Sequence, residues 1–226
     1  MDTRGEIVLY SYWRSSASYR VRLALALKGL AYTIEPIHLV EDGGQQYQAT
    51  YLQLNPQALV PTLIHNDLVL NQSLAIIEYL DETFPTPSLL PGDSRDRAKI
   101  RALSQLIACD IAPLANLRVL NYVAGLQSEV SNTPEAWAKH WIETGLGAVE
   151  THLSANHPEP KTARYCFGDK PTMADCCLLP QVYNAVRFGC DLSDMPTVRA
   201  ICSNFGHNEL IKAAKPENQP DAPKND

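Results

Sequence analysis

The segment Tyr10 to Arg22 reads Tyr-Ser-Tyr-Trp-Arg-Ser-Ser-Ala-Ser-Tyr-Arg-Val-Arg, and it sets hydroxyls and guanidinium groups around the point where an apolar run gives way to a helical pattern. A strand that runs into a helix start brings free backbone N–H donors and the positive end of the helix dipole to one spot. Anions bind at such a place, and a thiol held there ionises more readily. Ser15, Ser16 and Ser18 surround this start. Two readings fit them. Serine is a preferred helix cap. Alternatively, one hydroxyl donates a hydrogen bond to a bound thiolate, which stabilises the anion and lowers its pKa. Arg14, Arg20 and Arg22, with no acid among them, suit a small anionic ligand.

Further along, Val60-Pro61-Thr62 precedes a hairpin pattern. A trans edge-strand proline is the default there. A cis bond would instead turn the Val60 N–H and C=O outward, leaving a backbone edge on which an extended peptide could lie. Gln72-Ser73 stands where the hairpin feeds a helix. It reads either as a cap or as a second anion site, where a hydroxyl and free N–H groups hold a carboxylate. Glu78 and Asp81 on that helix read as solvated surface charges. In the second half, Asn116-Leu117-Arg118 and Arg187 mark helices. A helical arginine is ordinarily a surface charge. Arg187, however, sits among Val182, Ala185, Val186 and Phe188, and a guanidinium in such a place can clamp a carboxylate bidentately. Tyr10, Tyr12 and Trp13 read either as lining of the same cleft or as packing residues. No Ser-His-Asp order, phosphate loop, dinucleotide fingerprint or metal-ligand spacing stands out.

The elements that must position these residues follow from periodicity and punctuation. Ile7 to Ser11 predicts a strand, Ser16 to Lys28 a helix stopped at Gly29, and Tyr32 to Ile37 a second strand. His38 to Tyr51 predicts a loop leading into a short helix. Pro61 to His65 and Leu68 to Leu70 flank Asn66-Asp67, a hairpin signal, and Gln72 to Thr83 is helical. This order predicts a small mixed sheet, first strands parallel and last pair antiparallel. Residues 85–93, rich in proline, read as a linker between a first domain at 1–84 and an all-helical domain at 94–214. There, Asp93 or Ser94 caps a long helix that Pro113 should kink. Thr133-Pro134-Glu135 starts another helix, with Trp137, Trp141, Val149 and Leu153 on its buried side. Thr172 to Asp175 has capping-box spacing, and the helix it opens contains Pro180. Residues 215–226 read as a loosely held tail.

Composition narrows the function. The chain has 226 residues and a net charge of −6, which argues against a general nucleic-acid binder. It has no run of about 18 apolar residues, so no membrane span is expected. Met1 to Glu6 are polar and charged, so no secretory signal is expected. The six cysteines form no C-x-x-C pair and read as buried free thiols in a reducing cytoplasm.

Together these residues resemble the zeta class of glutathione transferases. The class signature Ser-Ser-Cys-x-Trp-Arg-Val-Arg appears here as Ser15-Ser16-Ala17-Ser18-Tyr19-Arg20-Val21-Arg22. Further matches are Leu54-Asn55-Pro56, Val60-Pro61-Thr62-Leu63, Gln72-Ser73-Leu74-Ala75 and Thr172-Met173-Ala174-Asp175. The resemblance implies an α/β thioredoxin-like N-terminal domain with a cis proline at Pro61, an all-α C-terminal domain and a homodimer. It implies glutathione as cofactor, contacted by Ser15, Ser16, Gln46, Val60, Gln72, Ser73 and Asn116. Ser15 and Ser16 would serve the thiolate, and Asn116 and Arg187 the substrate side, with Arg187 taking a carboxylate. The implied activity is cis–trans isomerisation of a small anionic diketo acid, maleylacetoacetate to fumarylacetoacetate. Maleylpyruvate, or 2-halo acids in a general transferase, are alternatives. A non-catalytic binding protein of the same fold is the alternative of another kind. Ala17 departs from the class cysteine, which makes chemistry needing an enzyme thiol doubtful.

Overall fold

A computed structural model describes residues 5–126 and 133–223. The described residues fall into two compact units, one running to Leu89 and resuming at Asn208, the other spanning Leu90 to His207.

The first unit is a four-stranded mixed sheet with helices. Its elements are β1 (Ile7–Ser11), α1 (Ser16–Leu27), β2 (Thr33–Pro36), α2 (Ala49–Leu54), β3 (Thr62–His65), β4 (Leu68–Asn71) and α3 (Ser73–Thr83). The strand order is β2-β1-β3-β4. β1 runs parallel to β2 and antiparallel to β3, and β3 and β4 form the expected hairpin. Its turn begins at Asn66, whose φ of 56° is a left-handed conformation that asparagine tolerates. Leu9, Leu23, Leu25, Leu63, Ile76, Ile77 and Leu80 are fully buried and form the core of this unit.

Two expectations fail here because charge is buried with partners. Arg20 and Arg22 are 3% and 0% exposed, so they hold the fold internally rather than presenting charge to a ligand. Asp81 is buried, not solvated. Its carboxylate pairs with the Lys28 ammonium at 2.7 Å and accepts from the Leu89 amide at 2.7 Å and the Ser88 hydroxyl at 3.0 Å. Lys28 also donates to the carbonyls of Phe84 and Pro87, at 2.8 Å each, and so fixes the turn after α3. Residues from Asn208 onward return to this unit instead of ending the helical one. Ile211 and Ala214 are buried, and Arg22 Nε donates to the Ala214 carbonyl at 3.0 Å. The stretch read as a loose tail holds a 3-10 turn (Pro216–Asn218) and a buried Gln219 that donates to the carbonyls of Ala213 and Lys215.

The second unit is helical, with α4 (Ser94–Gln105), α5 (Leu117–Gly125), α6 (Pro134–Ser154), α7 (Met173–Arg187) and α8 (Pro196–Gly206). Asp93 caps α4, accepting from the amides of Arg95 and Asp96. By length and composition the run Ser94–Gly125 would pass for a membrane span. It is interrupted, however, by a π turn at Leu106–Ile111 and a 3-10 turn at Ala112–Ala115 that contains Pro113, the expected break. Gly145 on α6 lets that break come close, since a Cβ there would clash with Ile111. Thr133 caps α6, and its buried face is Ala138, Ile142, Leu146, Val149 and Leu153. Trp137 and Trp141 are only half-buried. The Thr172–Asp175 capping box forms at α7. All six cysteines are free; Cys166, Cys176 and Cys177 are buried, but Cys190 and Cys202 are half-buried and Cys109 is exposed.

Candidate active site

The sheet register gathers the first-unit candidates at one end. Tyr10 pairs with Thr62, and Thr62 with Asn71. The next residues along each strand are therefore neighbours: the loop after β1 that leads to Ser15, the Val60-Pro61 step before β3, and Gln72-Ser73 after β4. The Val60–Pro61 bond is cis.

Ser15 is the N-cap of α1. Its Oγ accepts from the Ser18 amide at 3.2 Å, so the cap reading of the sequence holds for this residue. The cap does not use its proton. A hydroxyl has one donor and two acceptor lone pairs, so Ser15 can cap the helix and still donate outward. The amides of Ser16 and Ala17, the first two of the helix, have no hydrogen-bond partner among the described residues. Ser15 and Ser16 are half-buried, whereas Ser18 is fully buried.

Gln72 occupies the N-cap position of α3 without capping it. Its φ is 71°, a left-handed conformation that is costly for a glutamine. Its side chain instead donates to Gln57 Oε1 at 2.8 Å. The α3 start therefore has no side-chain cap, which suits an arriving carboxylate. Ser73 is buried, and its Oγ accepts from Arg20 Nη1 at 3.2 Å.

Val60 is positioned from below. Tyr51 Oη donates to the Leu59 carbonyl at 2.6 Å, and Asn55 Nδ2 donates to the same oxygen at 2.7 Å. Burial raises the Tyr51 phenol above its usual value, so it remains a proton donor. Thr62 Oγ1 lies 2.9 Å from the same phenol and donates to Asn71 Oδ1 at 2.7 Å, tying β3 to β4. The Val60 side chain packs with Tyr12 and Tyr51, with Tyr10, Trp13 and Leu39 against them. Tyr10, Tyr12 and Trp13 are thus packing residues of the first unit. The Val60 amide and carbonyl take part in no hydrogen bond among the described residues. Gln46 is buried beside this cluster. Its Nε2 donates to the Leu39 carbonyl at 3.3 Å, and its Oε1 is buried with no partner among the described residues. Tyr51, Asn55 and Gln57 were missed as site supports; the only trace of them in the sequence is the Leu54-Asn55-Pro56 match.

Asn116 and Arg187 belong to the second unit. Asn116 caps α5 through Oδ1, which accepts from the Arg118 amide at 3.3 Å. Arg187 lies on the exposed last turn of α7, with Nη1 donating to Asn184 Oδ1 at 3.3 Å and the guanidinium 4.6 Å from the Phe188 ring centre. The cysteines whose ionisation is shifted are all poor nucleophiles. Burial pushes the Cys166 and Cys202 thiols up, and Cys190 to about 11.

An uncapped helix start, an unpaired backbone step and an unpartnered buried amide oxygen together fit a short peptide with carboxylates and amides. The α1 start fits its thiolate. Glutathione has that chemistry.

Comparison with known proteins agrees. Residues 9–88 match the family described as glutathione S-transferase, N-terminal domain. The chain is 46% identical over 219 residues to the maleylacetoacetate isomerase of Mus musculus, covering 97% of this chain and 96% of that one. It is 45% identical over 216 residues to a probable maleylacetoacetate isomerase of Vibrio cholerae, covering 96% and 98%. Among solved structures, it resembles a holo maleyl pyruvate isomerase, a bacterial zeta-class enzyme, with a TM-score of 0.88 at 42% identity, covering 96% of this chain and 100% of that one. It also resembles a maleylacetoacetate isomerase from Anaeromyxobacter dehalogenans with glutathione bound in the active site, with a TM-score of 0.83 at 41% identity, covering 96% and 98%.

Proposed function

The chain belongs to the zeta class of glutathione transferases, the class of the maleylacetoacetate isomerases, and from that membership we propose that it isomerises maleylacetoacetate to fumarylacetoacetate with glutathione as cofactor. The observation that carries the proposal is the start of α1, where Ser15 caps the helix and keeps its proton, and two amides beside it are unpaired among the described residues.

When bound, glutathione supplies a thiolate that adds reversibly to the conjugated cis double bond, so that the carbon–carbon axis can rotate before the thiolate leaves. Ser15 donates its hydroxyl proton toward the sulfur, and the α1 dipole favours the same negative charge. The uncapped α3 start and Ser73 hold a carboxylate. The Val60 backbone pairs with the peptide amides, and the Gln46 and Gln72 side chains orient them. On the helical unit, Arg187 takes a substrate carboxylate bidentately, with Asn116 as a polar contact. Ala17 puts no enzyme thiol beside Ser15, which disfavours reactions that need a mixed disulfide to be resolved by the protein. Isomerisation needs only the cofactor's sulfur.

Maleylpyruvate is the second substrate reading, favoured by the likeness to the maleyl pyruvate isomerase structure. We include a homodimer in the proposal, because the first unit exposes Tyr47, Leu52, Leu68 and Val69, apolar surface that a second copy would cover. The free cysteines suit a cytoplasmic location.

Turnover of maleylacetoacetate, maleylpyruvate and a chlorinated acid, with and without glutathione, tests the proposal. Isomerisation that depends on glutathione is expected. Equal turnover without it would end the isomerase reading, and preference for the chlorinated acid would favour a general transferase. Calorimetry that detects no binding at millimolar glutathione would leave a non-catalytic protein of this fold.

A further inference from the structure

The chain near its C-terminus reaches the loop that presents Ser15. Asp221 Oδ2 accepts from the Trp13 amide at 2.9 Å, across 208 positions of sequence. The Trp13 carbonyl is held from the other side, accepting from Arg22 Nη2 at 2.9 Å. Arg22 Nη1 donates to the Tyr12 carbonyl at 3.3 Å and to Ser11 Oγ at 3.0 Å, and its Nε reaches the Ala214 carbonyl. The Tyr12 carbonyl in turn accepts from the Ser15 amide at 3.0 Å. Both backbone hydrogen-bonding groups of Trp13 are therefore fixed two residues before Ser15, one of them by a residue of the C-terminal segment. Ala214 and Asp221, on that same segment, accept from Arg22 and Trp13 respectively.

We propose that Asp221 is a positioning residue for Ser15: by holding the Trp13 amide it sets the turn from Tyr12 to Ser15 and thereby the direction of the Ser15 hydroxyl. The inference rests on the thiolate reading of Ser15 for its catalytic consequence and on the hydrogen bonds above for its structural one. It works through an accepted hydrogen bond, not through charge. A carboxylate close to a thiolate would oppose ionisation, so the two modes of action differ in sign.

The test compares Asp221→Asn and Asp221→Ala in the full chain. Asparagine keeps an acceptor for the Trp13 amide, and alanine removes it. Two readouts are taken: the ultraviolet titration of the glutathione thiolate on the protein, and hydrogen exchange of the amides of residues 12–16 without glutathione. For Asp221→Ala, the thiolate midpoint should rise by about one pH unit, with about a tenfold loss of kcat/KM at neutral pH, and the Trp13 and Ser15 amides should exchange faster. Asp221→Asn should stay within about twofold of the unaltered protein, as expected when the hydrogen bond survives. Unchanged exchange in Asp221→Ala overturns the proposal, as does a downward shift of the midpoint in both variants. An unaltered protein that gives no thiolate signal at all would count against the glutathione reading instead, and amide exchange would still decide the role of Asp221.

Discussion

Arg20 Nη1 on α1 donates to Ser73 Oγ at the first residue of α3, at 3.2 Å, with both residues buried. The bond joins α1 to the start of α3, two elements that bear on one ligand in the proposed reading. The N-terminal residues of α1 face the thiol end of the cofactor in the proposed reading, and those of α3 face a carboxylate. A guanidinium placed behind Ser73 also leaves the serine hydroxyl its own proton for donation.

Arg20→Ala removes a charged donor from a buried hydroxyl. We expect a loss of about 2–3 kcal/mol in unfolding free energy, together with about a tenfold weaker apparent affinity for glutathione, a shift of 1.4 kcal/mol by the usual arithmetic. Ser73→Ala should weaken glutathione binding in the same direction at a smaller cost in stability. Urea unfolding and a calorimetric titration measure the two effects. Wild-type affinity in both variants would separate the α3 start from the ligand.

Ser15 caps α1, and in the proposed reading it also serves the thiolate, two functions that stability and activity measurements separate. Ser15→Ala removes the cap, worth about 1 kcal/mol of stability, and removes the donor to the thiolate, for which a loss of about 10²–10³ in kcat/KM is typical of a preorganised donor. The thiol then ionises at higher pH, so the activity deficit should narrow as pH rises. Ser15→Thr keeps a hydroxyl and should recover most of both effects. A deficit that is the same at every pH would mean that Ser15 acts only as a cap.

Much of this was legible from the sequence, because local rules carry it. Asn66-Asp67 marked the hairpin, Thr133-Pro134 the start of α6, and Thr172 and Asp175 the capping box, each through contacts within a few residues. The placement of Ser15, Val60 and Gln72-Ser73 at one sheet end follows from the observed strand order and register, which the sequence did not supply. What was illegible is long-range. Nothing near Arg20, Arg22 or Asp81 says that each is buried, since one partner of each, Ser73, Ala214 and Lys28, lies 53 or more positions away. The C-terminal segment looked loose because it lacks periodicity, yet it is tied by single hydrogen bonds that leave no pattern. Whether Asn55 or Tyr51 supports Val60 depends on which carbonyl they reach, and composition does not encode that.

The Lys28–Asp81 pair is the strongest stability test in the first unit. The ammonium is fully buried and the carboxylate nearly so. Asp81→Ala leaves that ammonium with two carbonyls and no counter-charge, so a loss of about 3–5 kcal/mol is expected. It also releases the Leu89 amide and the Ser88 hydroxyl. Replacing both partners, as Lys28→Met with Asp81→Leu, should cost clearly less than either single change. Thermal and urea unfolding of the parent, Asp81→Ala, Lys28→Met, Asp81→Leu and the double change checks this. An Asp81→Ala protein as stable as the parent would show that the turn after α3 does not need the pair.

Asp175 gives a pH dependence whose sign is informative. Its carboxylate is fully buried at the α7 capping box, accepting from the amides of Cys166 and Thr172 at 2.7 Å each and from Thr172 Oγ1 at 2.9 Å. Burial raises its carboxyl above the ordinary 3.8, although those bonds pull the other way. The folded protein therefore holds this proton more tightly than the unfolded chain. Between 3.8 and the raised value the unfolded state ionises first, so the contribution of Asp175 to stability declines as pH climbs through that window. Asp175→Asn cannot ionise, and it loses an acceptor at the box. Its deficit relative to the parent should be largest below the ordinary value and shrink as pH rises. Urea unfolding of both proteins across acid pH measures the difference. A deficit that instead grows with pH would mean that the three hydrogen bonds outweigh burial, and that the box is held together by a fully formed carboxylate.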